Sequence, residues 1–160
     1  ALPLVREARQ LRAERFGTGH ELVGDSDRLL GEILAALGHT EPAHAALRNA
    51  VRVTRAGFGP THSHTRRTEI SLARFEASGG DPAAYQRLRA LGKPNDGDIE
   101  QRKASWLARA YAAQLDCATQ PAPALAELDS VLAQMQLALP EGGAIPRETE
   151  QIRASCAVSR

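Results

Sequence analysis

Five histidines, His20, His39, His44, His62 and His64, are the side chains of this 160-residue chain best placed for proton or metal chemistry near neutral pH. His62 and His64, one residue apart, could both touch one metal ion. No third ligand is set near them by spacing, however, and no His-Glu-x-x-His string occurs. Serine, histidine and aspartate are all present, yet neither a nucleophile elbow nor a glycine-rich phosphate loop accompanies them. Phe16-Gly17-Thr18-Gly19 lacks the preceding strand that a dinucleotide site requires. The expectation is therefore a chain with no catalytic residue, no metal site and no cofactor. His20 and His62 occupy equivalent junctions, where a ring can cap the next helix or pack on the phenylalanine before it, so a structural use is expected for both.

Composition narrows the partners. The formal net charge is +1, which offers no global basic field for nucleic acid, and aromatic residues make up only 4%, too few for a base-stacking surface. No run of about 18 apolar residues is available to cross a membrane, and no basic segment with an apolar core reads as a signal peptide. The chain opens on Ala1 rather than Met, so an upstream segment is expected. Of the 20 basic residues only Lys93 and Lys103 are lysine; the rest are arginine, and the wealth of alanine and arginine favours helix.

The elements that must carry these residues repeat. Phe16-Gly17-Thr18-Gly19-His20 returns as Phe58-Gly59-Pro60-Thr61-His62, displaced by 42 residues. Ala8 matches Ala50, Leu11 matches Val53, Leu30-Gly31 matches Leu72-Ala73, and Gly38 matches Gly80 in the same phase. Residues 22–37 place Val23, Leu30, Ile33, Leu34 and Leu37 on one helical stripe, with Asp25 or Ser26 as a candidate N-cap and Gly38 at the left-handed position that ends the helix. Further helices are expected from Ala43 to about Arg55, from Thr61 or Ser63 to Gly79-Gly80, from Ala83 to Leu91, from Ile99 to about Leu115, from Leu125 to Leu139 and from Pro146 to Ala157. No segment alternates with period two between hairpin turns. The reading is all-α, with about eight helices paired into about four antiparallel hairpins.

The string Leu30-Gly31-x-x-Leu34-x-x-x-Gly38-x-x-x-x-Ala43-x-x-x-Leu47-x-x-Ala50 resembles the tetratricopeptide repeat, in which small residues let paired helices approach and large apolar neighbours fill the gap between them. Leu72-Ala73 and Leu107-Ala108-x-x-Tyr111 resemble the same core. The 42-residue period with its Phe-Gly-x-x-His junction is similar to the kinesin-light-chain-like branch of that family. Comparable arrays occur in bacterial regulatory proteins, including membrane-bound serine/threonine kinases. The resemblance implies an αα superhelix: a half repeat at 1–20, repeats at 21–61 and 62–95, a divergent repeat at 96–140, and a terminal cap helix at 145–158. A half repeat exposes an apolar face, which again implies repeats upstream.

The resemblance also implies a binding surface. With Gly31, Ala73 and Ala108 as the equivalent small residues of the first helix in each pair, Asp25, Arg28 and Glu32 face the concave side in one repeat. Arg67, Ile70 and Arg74 do so in the next, and Arg102, Ser105 and Arg109 in the third. Arg28, Glu32, Arg67, Arg74, Arg102 and Arg109 are thus the candidate partner-binding residues, suited to an acidic protein or peptide through bidentate guanidinium contacts. The same charges also fit a solvated face with local ion pairs, such as Glu69 with Arg66 or Arg74. Trp106 joins the candidates as a hot spot if it faces that side, and belongs to the core if it does not. The asparagines that commonly clamp peptide backbone in such repeats are replaced by Arg28-Leu29, Ile70-Ser71 and Ser105-Trp106. In the repeat register Cys117 and Cys156 differ by more than a helical turn. Reaching the Cα separation of under about 7 Å that a disulfide needs would require slippage, and a bond, if made, would favour an oxidising compartment.

The function expected from the resemblance is a non-catalytic scaffold or sensor module that binds a protein or peptide, as the sensory region of a bacterial membrane serine/threonine kinase on the extracytoplasmic side. The alternative is a cytoplasmic regulatory segment of a transcriptional activator or secretion chaperone.

Overall fold

The computed structural model describes residues 1–95 and 97–158, which form eight α-helices and, among the described residues, no strand. They are α1 (Leu2–Phe16), α2 (Glu21–Ala36), α3 (Thr40–Phe58), α4 (Ser63–Ser78), α5 (Pro82–Leu91), α6 (Ile99–Asp116), α7 (Pro121–Ala138) and α8 (Ala144–Val158). The all-α reading holds. The helices fall into two compact units, Ala1–Gly79 and Gly80–Arg160. Within each unit consecutive helices pack on one another, as a stack of helical hairpins requires.

In the first unit the repeated junction has the same construction twice. Gly17 (φ 88°) and Gly59 (φ 90°) turn the chain out of α1 and α3 in a backbone conformation that side-chain-bearing residues avoid. Three residues later His20 and His62 adopt extended backbone and cap the following helix. The Leu22 N–H donates to His20 Nδ1 and the His64 N–H donates to His62 Nδ1, each at 3.2 Å. Each ring also stacks on the preceding phenylalanine, His20 on Phe16 at 4.8 Å and His62 on Phe58 at 4.5 Å. Both structural uses expected of these histidines occur together.

This capping moves the start of α2 forward to Glu21. Asp25 and Ser26, the expected caps, lie inside the helix because an imidazole nitrogen already satisfies an orphan amide upstream. Gly38 has φ 78° at the end of α2, as expected, but Leu37 is 56% exposed rather than inward, because the turn into α3 carries it past the packed face. Helix α3 starts before Pro42, at Thr40, and runs on to Phe58, taking Gly57 into its last turn. A β-carbon at position 57 would press on the Glu21 side chain, so glycine is what the helix end needs there.

The core of this unit is the seam between α2 and α3. A β-carbon at position 31 would lie 2.6 Å from Leu47 Cγ and 3.2 Å from the Ala43 carbonyl oxygen, and one at position 24 would lie 2.9 Å from Thr54 Cγ2. Two glycines on one helix face thus bring the axes together, and Val23, Leu34, Leu47, Ala50 and Val53 fill the remaining space. Between α3 and α4 the interior is polar. The hydroxyls of Thr54 and Thr68 are 2.9 Å apart, Thr65 donates to the Thr54 carbonyl at 3.1 Å, and all three side chains are fully buried. Helix α1 buries no residue and is held on α2 by polar contacts: Arg9 pairs with Asp27, and Arg12 donates to Ser26 Oγ at 2.7 Å. Its Leu4 and Leu11 are exposed.

The second unit uses other means. Aspartates cap α5 and α6: Asp81 accepts from the Ala83 N–H at 2.8 Å and Asp98 from the Gln101 N–H at 2.9 Å. Helix α7 begins at Pro121 and includes Pro123, whereas the sequence reading starts it at Leu125. The first turn has no intrahelical use for those amides, so proline costs nothing there. Helix α6 packs on α5, α7 and α8 and is buried at 104–108 and at 110–113, around nearly its whole circumference. Trp106, Val131 and Met135 form the apolar centre between α6 and α7, with Ile99, Ala138, Leu139 and Ile145 around it.

Cys117 and Cys156 are joined in a disulfide with a Cα separation of 5.5 Å. The spacing argument against easy approach is corrected here. Because α7 reverses the chain after α6 and α8 reverses it again, α8 runs alongside α6 in the same direction, and the ends of the two helices meet. Tyr111 donating to Glu148 marks the same parallel register earlier along the pair.

Candidate functional site

The seven candidate residues fall into two sets, one in each unit. In the first, the α2 turn beginning at Asp25 draws Arg28 onto its own helix. Its Nη1 lies 2.8 and 2.9 Å from the two Glu32 carboxylate oxygens, and its Nε and Nη2 are each 3.4 Å from Asp25 Oδ1. Only 7% of the Arg28 side chain remains exposed. Glu32 also accepts a hydrogen bond from Ser71 Oγ on α4 at 2.6 Å, so it ties α2 to α4. Arg67, four residues before Ser71, is exposed, while Arg74 is half-buried. The structure therefore joins Arg28 to Glu32 and leaves Arg67 as the cation of this set that faces water.

In the second unit Arg102, Trp106 and Arg109 lie along α6. The Arg102 guanidinium sits 5.1 Å above the indole centroid, within the range where a cation is attracted to the ring face. Trp106 itself is 5% exposed and packs with Val131 and Met135, so its bulk belongs to the core and only one face meets Arg102. The indole N–H donates to Gln134 Oε1 at 3.1 Å, and Arg109 Nη1 donates to the same oxygen at 3.1 Å. Arg109 Nε also donates to Glu127 at 2.6 Å. Ser105, on the binding face expected from the repeat register, instead turns its hydroxyl to the Gly92 and Lys93 carbonyls, 2.9 Å from each, and pins the turn between α5 and α6.

Each unit also holds a concavity. In the second, a cavity of about 540 Å³ lies among α5, α6 and α7, with Arg89, Arg109, Asp116 and Glu127 among its walls. Its charges are largely spent on one another: Tyr85 donates to Asp116 at 2.8 and 2.9 Å, and Arg109 is held by Glu127. The hydrogen bond with Tyr85 pushes the Arg89 guanidinium up from its ordinary value. In the first unit an open groove of about 650 Å³ lies among α1, α2 and α3, over the buried Asp27 carboxylate, which Arg9 and Asn49 already occupy. Among the described residues, no three of His, Cys, Asp and Glu converge as metal ligands, and no helix is long and apolar enough to cross a membrane.

Several polar partners escape a reading of the sequence. Glu69 pairs with Arg55 on α3 rather than within α4, His44 Nε2 lies 2.8 Å from Glu76, and Gln134 gathers Trp106 and Arg109 from 28 and 25 residues away. No short-range motif announces such pairs, because their geometry exists only once two helices have docked. No protein-family model matches the chain, and no curated protein matches it.

Proposed function

We propose that this chain is a non-catalytic binding scaffold of tetratricopeptide-like helical hairpins that receives an acidic protein or peptide on its arginine-bearing helices. The observation that carries the reading is the doubled junction. Two Phe-Gly-x-x-His corners 42 residues apart share one glycine conformation, one stacking and one capping bond, which is how a repeating hairpin unit is built. In this reading Arg67 in the first unit and Arg102 in the second are exposed cations available to a partner, and the ion pairs of Arg28 and Arg109 hold the helix face of each unit by itself in shape. The Cys117–Cys156 bond supports an oxidising compartment, and with it the sensory region of a bacterial membrane serine/threonine kinase over a cytoplasmic owner.

Calorimetric titration with an octaglutamate peptide tests the proposal. Saturable binding is expected, with a loss of at least about tenfold when Arg67→Glu and Arg102→Glu are combined. Absent binding, or equal affinity in the reversed variant, overturns the acidic-partner reading. A full-length reading frame that encodes no kinase domain and no membrane span overturns the assignment to a receptor kinase.

A further inference from the structure

We propose that the cavity among α5, α6 and α7 binds a small organic acid, one carboxylate carried on a flat apolar body. Its volume of about 540 Å³ is that of a small-molecule site rather than of a packing defect. All of its walls belong to the second unit. The class of ligand follows from the donors and acceptors around the space.

Three cations, Arg89, Lys93 and Arg109, border the cavity against two carboxylates, Asp116 and Glu127, which leaves one positive charge in excess. The carboxylates are already served. Tyr85 donates to both oxygens of Asp116 at 2.8 and 2.9 Å, and Arg109 Nε donates to Glu127 at 2.6 Å. The cations are not. A guanidinium holds its N–H donors in a rigid fork, and Arg109 directs Nε to Glu127 and Nη1 to Gln134. Among the described residues, its Nη2, the Lys93 ammonium and the Gln120 side-chain amide meet no acceptor. Arg109 is the anchor, because only 17% of its side chain is exposed. A donor left unsatisfied so far from bulk water costs free energy, and the two oxygens of a carboxylate relieve that cost by matching the fork. A phosphate dianion would exceed the single excess charge and face Asp116 and Glu127. The rest of the wall is Ala112, Ala113, Pro123 and Ala124, short apolar side chains that leave room for a ring.

These groups are held in place before any ligand arrives. Gly92 ends α5 in an ordinary right-handed conformation, so its backbone does not call for glycine. A β-carbon there would lie 2.9 Å from Arg109 Cγ, and its absence is what lets the Arg109 stem rest against the end of α5. The Ser105 hydroxyl, donating to the Gly92 and Lys93 carbonyls, fixes the backbone that carries Lys93. On α5, Arg89 Nη1 donates to the Tyr85 hydroxyl at 3.1 Å, and Tyr85 in turn holds Asp116 of α6. A site so fixed loses little conformational freedom when it is filled.

Calorimetric titration of the whole chain with naphthaleneacetate, and with its uncharged counterpart naphthaleneacetamide, tests the site. The acid should bind saturably and the amide at least about tenfold more weakly. Arg109→Gln removes the anchor and should lower affinity for the acid at least about tenfold. Lys93→Glu alters an exposed side chain that holds nothing in the fold, and should weaken the acid by a similar factor. The combined Arg67→Glu, Arg102→Glu variant should bind the acid as the parent does, because neither residue borders the cavity, so this site and the acidic-partner surface fail separately. No saturation by the acid, equal affinity for acid and amide, or full affinity in Lys93→Glu or Arg109→Gln would overturn the proposal.

Discussion

The two units solve one problem, holding short helices in register, by different chemistry. The first brings helix axes close. Gly24 and Gly31 remove side chains where α2 crosses α3, threonines satisfy one another between α3 and α4, and histidines cap the helices at both repeated corners. The second fills its seams with bulk, Trp106, Leu128, Val131 and Met135, caps α5 and α6 with aspartate, starts α5 and α7 with proline, and closes the ends of α6 and α8 with a disulfide. Where the repeat is regular, its own small residues specify the packing. Where the repeat loses its spacing, a covalent link and larger side chains take over that task.

Breaking the covalent link should separate the units most clearly. The bond spans 39 residues, and a loop of that size stabilises by about 4 kcal/mol in the chain-entropy account. A Cys117→Ala, Cys156→Ala double variant should lose amide protection throughout α6, α7 and α8 while α2 and α3 keep theirs. Equal loss in both units would show that they do not differ in this way.

The next effect belongs to the other unit. Gly31→Leu forces a side chain into space held by Leu47 and the Ala43 carbonyl, and overpacking of this kind costs about 1–3 kcal/mol. Protection should fall across α2 and α3, and an unshifted melting temperature would remove glycine close-packing from the comparison. Thr68→Val tests the polar interior of the same unit. It removes a hydroxyl 2.9 Å from Thr54 and 2.8 Å from the Thr65 carbonyl, and should cost about 1–2 kcal/mol by denaturant titration. A variant as stable as the parent would mean that the buried hydroxyls add nothing net. The smallest expected effect tests the aspartate caps of the second unit: Asp98→Ala should destabilise by about 1 kcal/mol by denaturant titration. An unchanged denaturation midpoint would mean that this cap adds nothing net to the second unit.

Legibility followed distance along the chain. Helix existence and most boundaries were readable because glycine, proline and capping residues act within four positions, as at Gly38 and Pro82. The misplacements are instructive. Asp25 and Ser26 look like caps by type, yet His20 had already taken the role, and imidazole is a less familiar acceptor than carboxylate or hydroxyl. The candidate surface was legible as a set of charges on helix faces, but not as paired or unpaired charges. That Arg28 is sequestered by Glu32 and Asp25, whereas Arg67 faces water, depends on rotamers and on the neighbouring Ser71.

From the order of its residues alone this chain was bound to be helical, to break at glycines 42 residues apart and to give each junction histidine a structural use, as cap or as packing partner of the phenylalanine before it, since those outcomes rest on local sterics and short loops. The meeting of Cys117 with Cys156, the sharing of Gln134 by Trp106 and Arg109, and the burial of one Trp106 face beneath Arg102 were settled only by docking. The first two join segments 25 to 39 residues apart, and the third needs α7 in place behind the indole. Their distances are set by how many times the intervening helices reverse the chain, a quantity that local preference does not contain.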